Sequence, residues 1–428
     1  MTPSLLPPRL NRPHIEVLPN GLTIIAEQMP VEAVSFQLWL RVGSRWEGDE
    51  INGTAHFLEH MVFKGTPRLA MGEFERTIES RGAGTNAATS QDYTQFYFTS
   101  APQDFEHLAP LQLDVVLNPT IADGPFERER LVVLEEIRRS QDDPQRRIFQ
   151  QVVQLAFPHT PYARPVLGAR EIITHLQAQQ MRDFHAHWYQ PQAITATVVG
   201  NRPVAHLVET VANSFADCYR VKSPSQTLTP PPVNIPPPFT KVETITVVDK
   251  ALQQARLILL WRSPGLDQFE QTLPLGVLAV ILGRGRVSRL FRELREEKGL
   301  VTAIGASNST QATQGMFYIS AQLPTENIPT VERCILDHIE RLQNEPVPEK
   351  DLERIRTQVA NRFVFGNERP GDRANLYGYY YAQIGDLEPA LTYPEQIQAL
   401  TAEDLQRSAQ TYLSPTAYGK VVALPEPL

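Results

Sequence analysis

Cysteine is nearly absent. The 428-residue chain has two, Cys218 and Cys334, too few for a disulfide framework and too far apart for a CxxC metal or redox motif. Both read as buried thiols. Also missing is any run of about 18 apolar residues, the minimum for a membrane-spanning helix. The opening MTPSLLPPRLNRPH is interrupted by prolines and lacks the apolar centre of a secretion signal. Neither export nor a membrane anchor is expected, and the cytoplasm is the expected compartment. No block of lysine and arginine occurs, and the net charge is -8, so neither nucleic acid nor an anionic membrane is an expected partner. The stretch GRGRVSRLFRELREEKG lacks the strand, Gly-rich turn and Lys-Ser/Thr order of a phosphate loop.

What is present is an ordinary globular composition, 42% hydrophobic and 21% charged, on a chain long enough for two cores. Proline concentrates in KSPSQTLTPPPVNIPPPFTK, residues 222–241, which predicts an extended, semi-rigid linker between an N-terminal domain (1–221) and a C-terminal domain (242–428). Both halves run through the same order of elements. In the first, NGLTIIAEQM and AVSFQLWLRVG alternate like half-buried strands, an apolar stretch follows, and NAATSQDYTQFYFTS reads as a strand. In the second, TKVETITVV and QARLILLWRSPG are strands, QTLPLGVLAVILGRGRVSRLFRELREEKGL is helical, and ATQGMFYISAQL is a strand. Helical stretches follow in both: FEHLAPLQLDVVLNP and FERERLVVLEEIRRSQDD, then TVERCILDHIERLQNE and EKDLERIRTQVANRFVFG. The expected fold class is α+β: two homologous domains, each a largely antiparallel sheet packed with helices.

One stretch has no counterpart in the second half. GTAHFLEHMVFKGT places His56 and His60 one helical turn apart on one face, where both imidazoles can reach a single metal ion. Glu59 is next to that face, placed to take a proton from a metal-activated water. The bland alternative is two polar residues on a core helix. Phe57, Leu58, Met61, Val62 and Phe63 make the helix apolar nearly all round, and burying the polar trio without partners costs several kcal/mol. A catalytic zinc needs a third protein ligand. In FERERLVVLEEIRRSQ, Glu129 and Glu136 lie along the margin of the apolar stripe of Phe126, Val133 and Ile137, while Glu135 points about 100° away from Glu136. Periodicity favours Glu136 over Glu135 without excluding the latter.

GTAHFLEHMVFKGT followed by ERERLVVLEE resembles the pitrilysin and mitochondrial processing peptidase family of inverted zincins. NGLTIIAEQMP, NAATSQDYTQFYF, SRLFRELREEKGL and the paired halves extend the likeness over nearly the whole chain. The resemblance implies one zinc ion per chain held by His56, His60 and Glu136, with Glu59 as catalytic base and Glu129 in support. It implies a zinc metalloendopeptidase acting on short or unfolded peptides, and half of a clamshell that dimerises around a chamber. Asn86 and Ala87 match the family's edge strand, on which extended substrate is bound by β-pairing. Active members also use an arginine and a tyrosine seven residues on from the C-terminal half. Here Arg295 is present, but Thr302 stands at the tyrosine position. That departure implies a heterodimer whose homologous partner supplies the Arg/Tyr pair, alternatively a homodimer. A non-catalytic assembly or chaperone-like subunit is the other class of function consistent with it. His185 and His187, two residues apart in MRDFHAHWYQP, do not share a helical face and read as surface or interface residues.

Overall fold

The computed structural model describes residues 10–219 and 231–426. The N-terminal half builds a six-stranded sheet from β1 (His14–Val17), β2 (Thr23–Gln28), β3 (Val34–Leu40), β4 (Gly84–Thr89), β5 (Thr94–Ser100) and β6 (Ile194–Gly200), in the spatial order β1-β2-β6-β3-β5-β4. The C-terminal half builds a five-stranded sheet from β7 (Glu243–Val248), β8 (Ala255–Pro264), β9 (Ala303–Thr310), β10 (Gln314–Leu323) and β11 (Gly419–Leu424), ordered β7-β11-β8-β10-β9. With β1 set aside, the two orders coincide strand for strand. Each also holds one parallel pair, β2 with β6 and β7 with β11, among antiparallel neighbours. The α+β expectation and the internal repeat both hold. β6 and β11 carry no hairpin signal, because each returns alone after a long helical excursion.

Two expected elements are divided. NAATSQDYTQFYFTS is a hairpin, β4 and β5 joined through Ser90–Tyr93, whose Ser90 N–H donates to the Tyr93 carbonyl (2.8 Å). Its Ser and Asp are turn residues that a strand-like average conceals. The long helical stretch of the second half stops at Gly283 and resumes after Gly285, which has φ +88°, a conformation glycine adopts without penalty. It ends in a π-helical turn over Phe291–Glu297.

The helices of the first half are α1 (Thr54–Met61), α2 (Glu73–Ser80), α3 (Phe105–Leu117), α4 (Asp123–Asp142), α5 (Pro144–Ala156), α6 (Arg170–His175), α7 (Ala178–Trp188) and α8 (Val204–Cys218). Those of the second used below are α9 (Phe269–Gly283), α10 (Ile328–Asn344), α11 (Glu349–Phe365) and α12 (Pro370–Ile384). α1, α3 and α8 cover one face of the first sheet, burying Phe36, Leu38, Phe96 and Val198. α9, α10 and the helix Ala402–Tyr412 cover one face of the second, over Leu257, Leu259 and Phe317. The remaining face of each sheet is covered by the other half. α5 lays Ile148, Val152 and Ala156 on Ile258, Leu260 and Val421 of the second sheet. α12 lays Ala374 and Tyr377 on Ile25 and Val199 of the first.

This exchange corrects the half-buried expectation for β3. Every residue of it is buried, because its polar face is roofed by α12. Gln37 Nε2 donates to the Gly371 carbonyl (2.9 Å), and Trp39 Nε1 donates to Gln37 Oε1 (3.0 Å). Buried Glu27 accepts from Arg373 (3.0 Å) and from the Tyr377 hydroxyl (2.7 Å). His185 is also buried, contrary to expectation. Its Nε2 lies 2.9 Å from the Val116 carbonyl, one of the last carbonyls of α3, which lack a partner within their own helix. His187 is exposed beside Trp188, and both cysteines are buried thiols.

Residues 1–9 of the proline-interrupted opening and 222–230 of the expected linker lie outside the described residues. Residues 231–240 have no helix or strand, and Phe239 is packed under the Arg262 guanidinium, 3.9 Å from the ring centroid. Among the described residues, no helix is long and apolar enough to cross a membrane.

Gly378 of α12 tests this packing. A Cβ there would lie 2.0 Å from Trp39 Nε1, so Gly378→Ala is expected to force α12 off the sheet at a cost of ~1–3 kcal/mol. Denaturant unfolding checks it, and unchanged stability would show that α12 is not seated so closely.

Candidate metal centre

α1 begins at two glycines in contact. Gly53 (φ +98°) and Gly168 (φ +80°) are so close that a Cβ on Gly168 would lie 2.4 Å from the Asn52 carbonyl oxygen. No side chain within the first turn caps the helix. Instead, buried Glu47 accepts from the N–H groups of Gly53 (2.8 Å) and Ala55 (2.7 Å) and from Asn52 Nδ2 (2.8 Å). These are the backbone donors a helix leaves free at its start, and the carboxyl complements the positive end of the helix dipole. Burial raises the Glu47 pKa to about 7 against the pull of those donors. Phe57, stacked on Phe126 of α4 at 4.6 Å, with Leu58 and Met61 in the core, then fixes the rotation of α1.

That rotation turns His56 and His60 toward α4. The Nε2 atoms of both lie 3.6 Å from Glu136 Oε2. The separation is too long for a hydrogen bond. It matches the spacing of ligands around an ion, since donors ~2.1 Å from a tetrahedral centre stand ~3.4 Å apart. All three ligand atoms lie within 4.8 Å of one another. Burial, helped by the neighbouring His60, lowers the His56 pKa to about 3, so at neutral pH the ring is uncharged and offers a lone pair. His56 Nδ1 is buried without an acceptor, which leaves the Nε2 side to supply the ring's polar partner.

Glu129 orders the second imidazole. Its Oε1 lies 2.9 Å from His60 Nδ1, and its Oε2 accepts from Lys64 Nζ at 2.8 Å. Burial opposes ionisation, but the bonds to Lys64 and His60 outweigh it and hold the carboxyl below its ordinary pKa. An ionised Glu129 places the His60 proton on Nδ1 and leaves Nε2 facing Glu136 as an acceptor. Glu135, by contrast, turns outward and pairs with Arg138 and Arg139. The donor set of two imidazoles and a carboxylate suits zinc. With Glu59 close by, three carboxylates surround the imidazoles against one lysine, so the site's charge also favours a cation.

Glu59 Oε2 accepts from Thr89 Oγ1 at 2.5 Å, leaving Oε1 free. Burial raises its pKa, Glu136 adds to this, and Thr89 and His60 oppose it. Thr89 is the last residue of β4, so this bond ties the sheet's edge strand to α1. Asn86 and Ala87 lie on that strand, which has no neighbour on its outer side, and Asn86 Oδ1 accepts from the Ala87 N–H (2.9 Å).

Arg295 and Thr302 are elsewhere. Arg295 is exposed, its guanidinium 4.8 Å from the Phe291 ring centroid. Thr302 Oγ1 donates to Gln254 Oε1 (2.7 Å). Among the described contacts, neither residue meets His56, His60 or Glu136. Sequence reasoning missed Lys64, Thr89 and Glu47. Lys64 sits one turn beyond His60 and was legible by helical spacing, whereas Thr89 and Glu47 act across folds that no local pattern reveals.

A second set of donors, Glu293, Cys334 and His338, differs in geometry. Glu293 accepts from Lys298 Nζ (2.7 Å) and Cys334 Sγ (3.1 Å) and lies 2.8 Å from His338 Nε2. Its oxygens are already taken by direct hydrogen bonds, which clamp the π-helical turn to α10.

The buried imidazole has a pH consequence. His56 titrates at about 3 in the folded chain, against 6.5 for an ordinary histidine. The unfolded chain therefore binds this proton first, so the contribution to stability is complete above pH 6.5 and is lost as pH falls toward 3. Metal-free protein is expected to unfold at progressively lower denaturant through that window, and His56→Gln to flatten the slope. A variant with the wild-type slope would remove His56 as the cause.

Two family models match the chain: Insulinase (Peptidase family M16) over residues 22–170 and Peptidase M16 inactive domain over residues 175–359. An uncharacterized zinc protease of Mycobacterium tuberculosis is 30% identical over 418 residues, covering 96% of this chain and 93% of that protein. An uncharacterized zinc protease of Rickettsia bellii is 27% identical over 410 residues, covering 96% and 97%. Among solved structures, a protease from Helicobacter pylori aligns with a TM-score of 0.90 at 24% identity, over 97% of this chain and 100% of that one. The periplasmic protease PqqL from Escherichia coli aligns at 0.82 and 19% identity, over 98% of this chain and 48% of that one. At these identities the structures establish a shared fold, and the near full-length match to the mycobacterial protein establishes more: the chain belongs to peptidase family M16, among relatives named zinc proteases.

Proposed function

We propose that the chain is a zinc metalloendopeptidase that hydrolyses short or unfolded peptides, with His56, His60 and Glu136 as the metal ligands and Glu59 as general base. The observation that carries this reading is the convergence of three ligand atoms, the two imidazole nitrogens each 3.6 Å from Glu136 Oε2 and all three within 4.8 Å of one another, with a carboxyl of raised pKa beside them. A zinc ion held there would supply Lewis acidity to a water molecule and to the scissile carbonyl. Glu59 Oε1 takes the proton of the attacking water and passes it to the leaving amine nitrogen. Its raised pKa brings it nearer neutrality, where one group can serve as base and then acid. Thr89 holds Oε2 and so keeps Oε1 turned to the reacting atoms. The outer edge of β4, at Asn86 and Ala87, pairs with the backbone of an extended peptide, which gives binding with little side-chain preference. Glu129 keeps His60 in the tautomer that binds metal.

The chain works as the metal-bearing member of a dimer. Thr302 is tied to Gln254 and is too short to replace a tyrosine, so a homologous partner supplying an Arg/Tyr pair completes the substrate-holding side; a homodimer using another donor is the alternative. A second reading, a non-catalytic assembly subunit, draws on that same threonine and on the match of residues 175–359 to a model described as an inactive domain.

Metal analysis and a quenched peptide separate these readings. Wild type is expected to carry one zinc per chain and to cleave, and Glu59→Gln to keep the zinc and lose at least ~100-fold in kcat. Zinc without Glu59-dependent cleavage, alone or with any co-purifying homologue, would sink the peptidase reading. For the dimer, mixing with a homologue that carries the Arg/Tyr pair is expected to raise kcat/KM by at least ~100-fold, on the scale of one oxyanion donor. Full activity of the chain without such a partner would refute the heterodimer.

A further inference from the structure

A cavity of about 730 Å³ lies between the halves, lined in part by residues a few positions along the chain from those of the candidate metal centre. Three of its walls belong to the elements that build that centre. Gln91 is two residues beyond Thr89, Ser140 lies one turn beyond Glu136 on α4, and the Leu167 carbonyl packs against Gly53 at the start of α1. The opposite wall comes from the second half. There Tyr318 stands edge-on to Phe149, ring centroids 6.1 Å apart, and Phe149 is 44% exposed.

Arg256 is the group in this cavity that nothing else explains. It is the second residue of β8, on the same face as Ile258 and Leu260, which α5 covers. It is partly buried, and among the described residues its guanidinium has no hydrogen-bond or ion-pair partner. Of the other arginines of the cavity, Arg164 is committed to Asp49 (2.7 Å) and the Ser44 carbonyl (2.9 Å), and Arg146 is a largely exposed side chain 3.8 Å from Asp143. The Arg256 guanidinium lines the cavity beside Ile258 and Tyr318, and a carboxylate is the ligand whose geometry it matches.

We propose that this cavity binds a carboxylate of the peptide substrate on Arg256, with an apolar residue of the same peptide against Phe149 and Tyr318. The carboxylate is an acidic side chain or the peptide's C-terminus. The proposal rests on the peptidase reading for the word substrate, but its test does not require cleavage.

Labelled peptides differing only as Asp against Asn, placed in turn along the sequence, and as free acid against amide at the C-terminus, are titrated by fluorescence anisotropy. The protein is the Glu59→Gln variant in its purified state, so that binding is read without turnover. One acidic form is expected to bind ~10-fold to 100-fold tighter than its neutral twin. The Asp/Asn pair responds if the ligand is a side chain, the acid/amide pair if it is the terminus. Adding Arg256→Gln is expected to bring the ratio to one, and Arg256→Lys to restore part of it. Absence of discrimination in every pair overturns the proposal, as does discrimination that survives Arg256→Gln. If discrimination depends on Arg256 while wild type cleaves nothing, the carboxylate site stands and the peptidase reading falls.

Discussion

The molecule is organised around two helices that change sides. Each sheet keeps one face for its own half and gives the other away, the first to α12 and the second to α5. The faces exchanged differ in chemistry. On the second sheet it is apolar, and α5 closes it with Ile148, Val152 and Ala156. On the first it carries Ser35, Gln37 and Glu27, which need hydrogen-bond partners once water is excluded. α12 supplies them through the Gly371 carbonyl, Arg373 and Tyr377. Neither half can leave without uncovering buried polar groups or a hydrophobic face.

This exchange reaches the metal centre through one joint. α4 carries Glu129 and Glu136, and Asp143 ends it while capping α5 by accepting the Gln145 N–H at 2.8 Å. The helix that presents the carboxylates to α1 is therefore braced by its continuation on the second sheet. The β4–β5 turn is braced similarly, since Asp92 accepts from the Tyr162 hydroxyl (2.7 Å) and from the Ala312 N–H of the second half (2.9 Å). The half that lacks the histidine motif thus contributes by holding two walls of the site in place, which gives a physical reason for a duplicated fold with one metal centre.

Within the site, position is set by charge as much as by packing. Glu47 holds the start of α1, Phe57 fixes its rotation on Phe126, and Glu129 with Lys64 fixes the ring of His60. His56 has no such partner on Nδ1 and is kept neutral by burial, helped by the neighbouring His60. Three carboxylates around two imidazoles form a set that a divalent cation would complete.

Much of the site was legible because it is local. His56, Glu59 and His60 occupy one turn and a half of helix, and their shared face follows from the helical repeat alone. The α+β class and the repeated halves followed from periodicity in the same way. Periodicity favoured Glu136 over Glu135 only modestly, because the two are one residue apart and about 100° of helix rotation does not exclude the second. The choice came from the resemblance, and the fold turns Glu135 outward to Arg138 and Arg139. The alternation of β3 was read correctly, yet its polar face is buried, because the helix that covers it comes from more than 300 residues later in the chain. Thr89, Glu47 and Arg256 had no signal at all. The sequence by itself determined the chemistry that one helix can offer and the order of elements in each half, since both are periodic properties of short segments. Only the tertiary structure decided which carboxylate meets the imidazoles, which strand borders them and which cation is left without a partner, since those depend on packing between segments that share no local pattern.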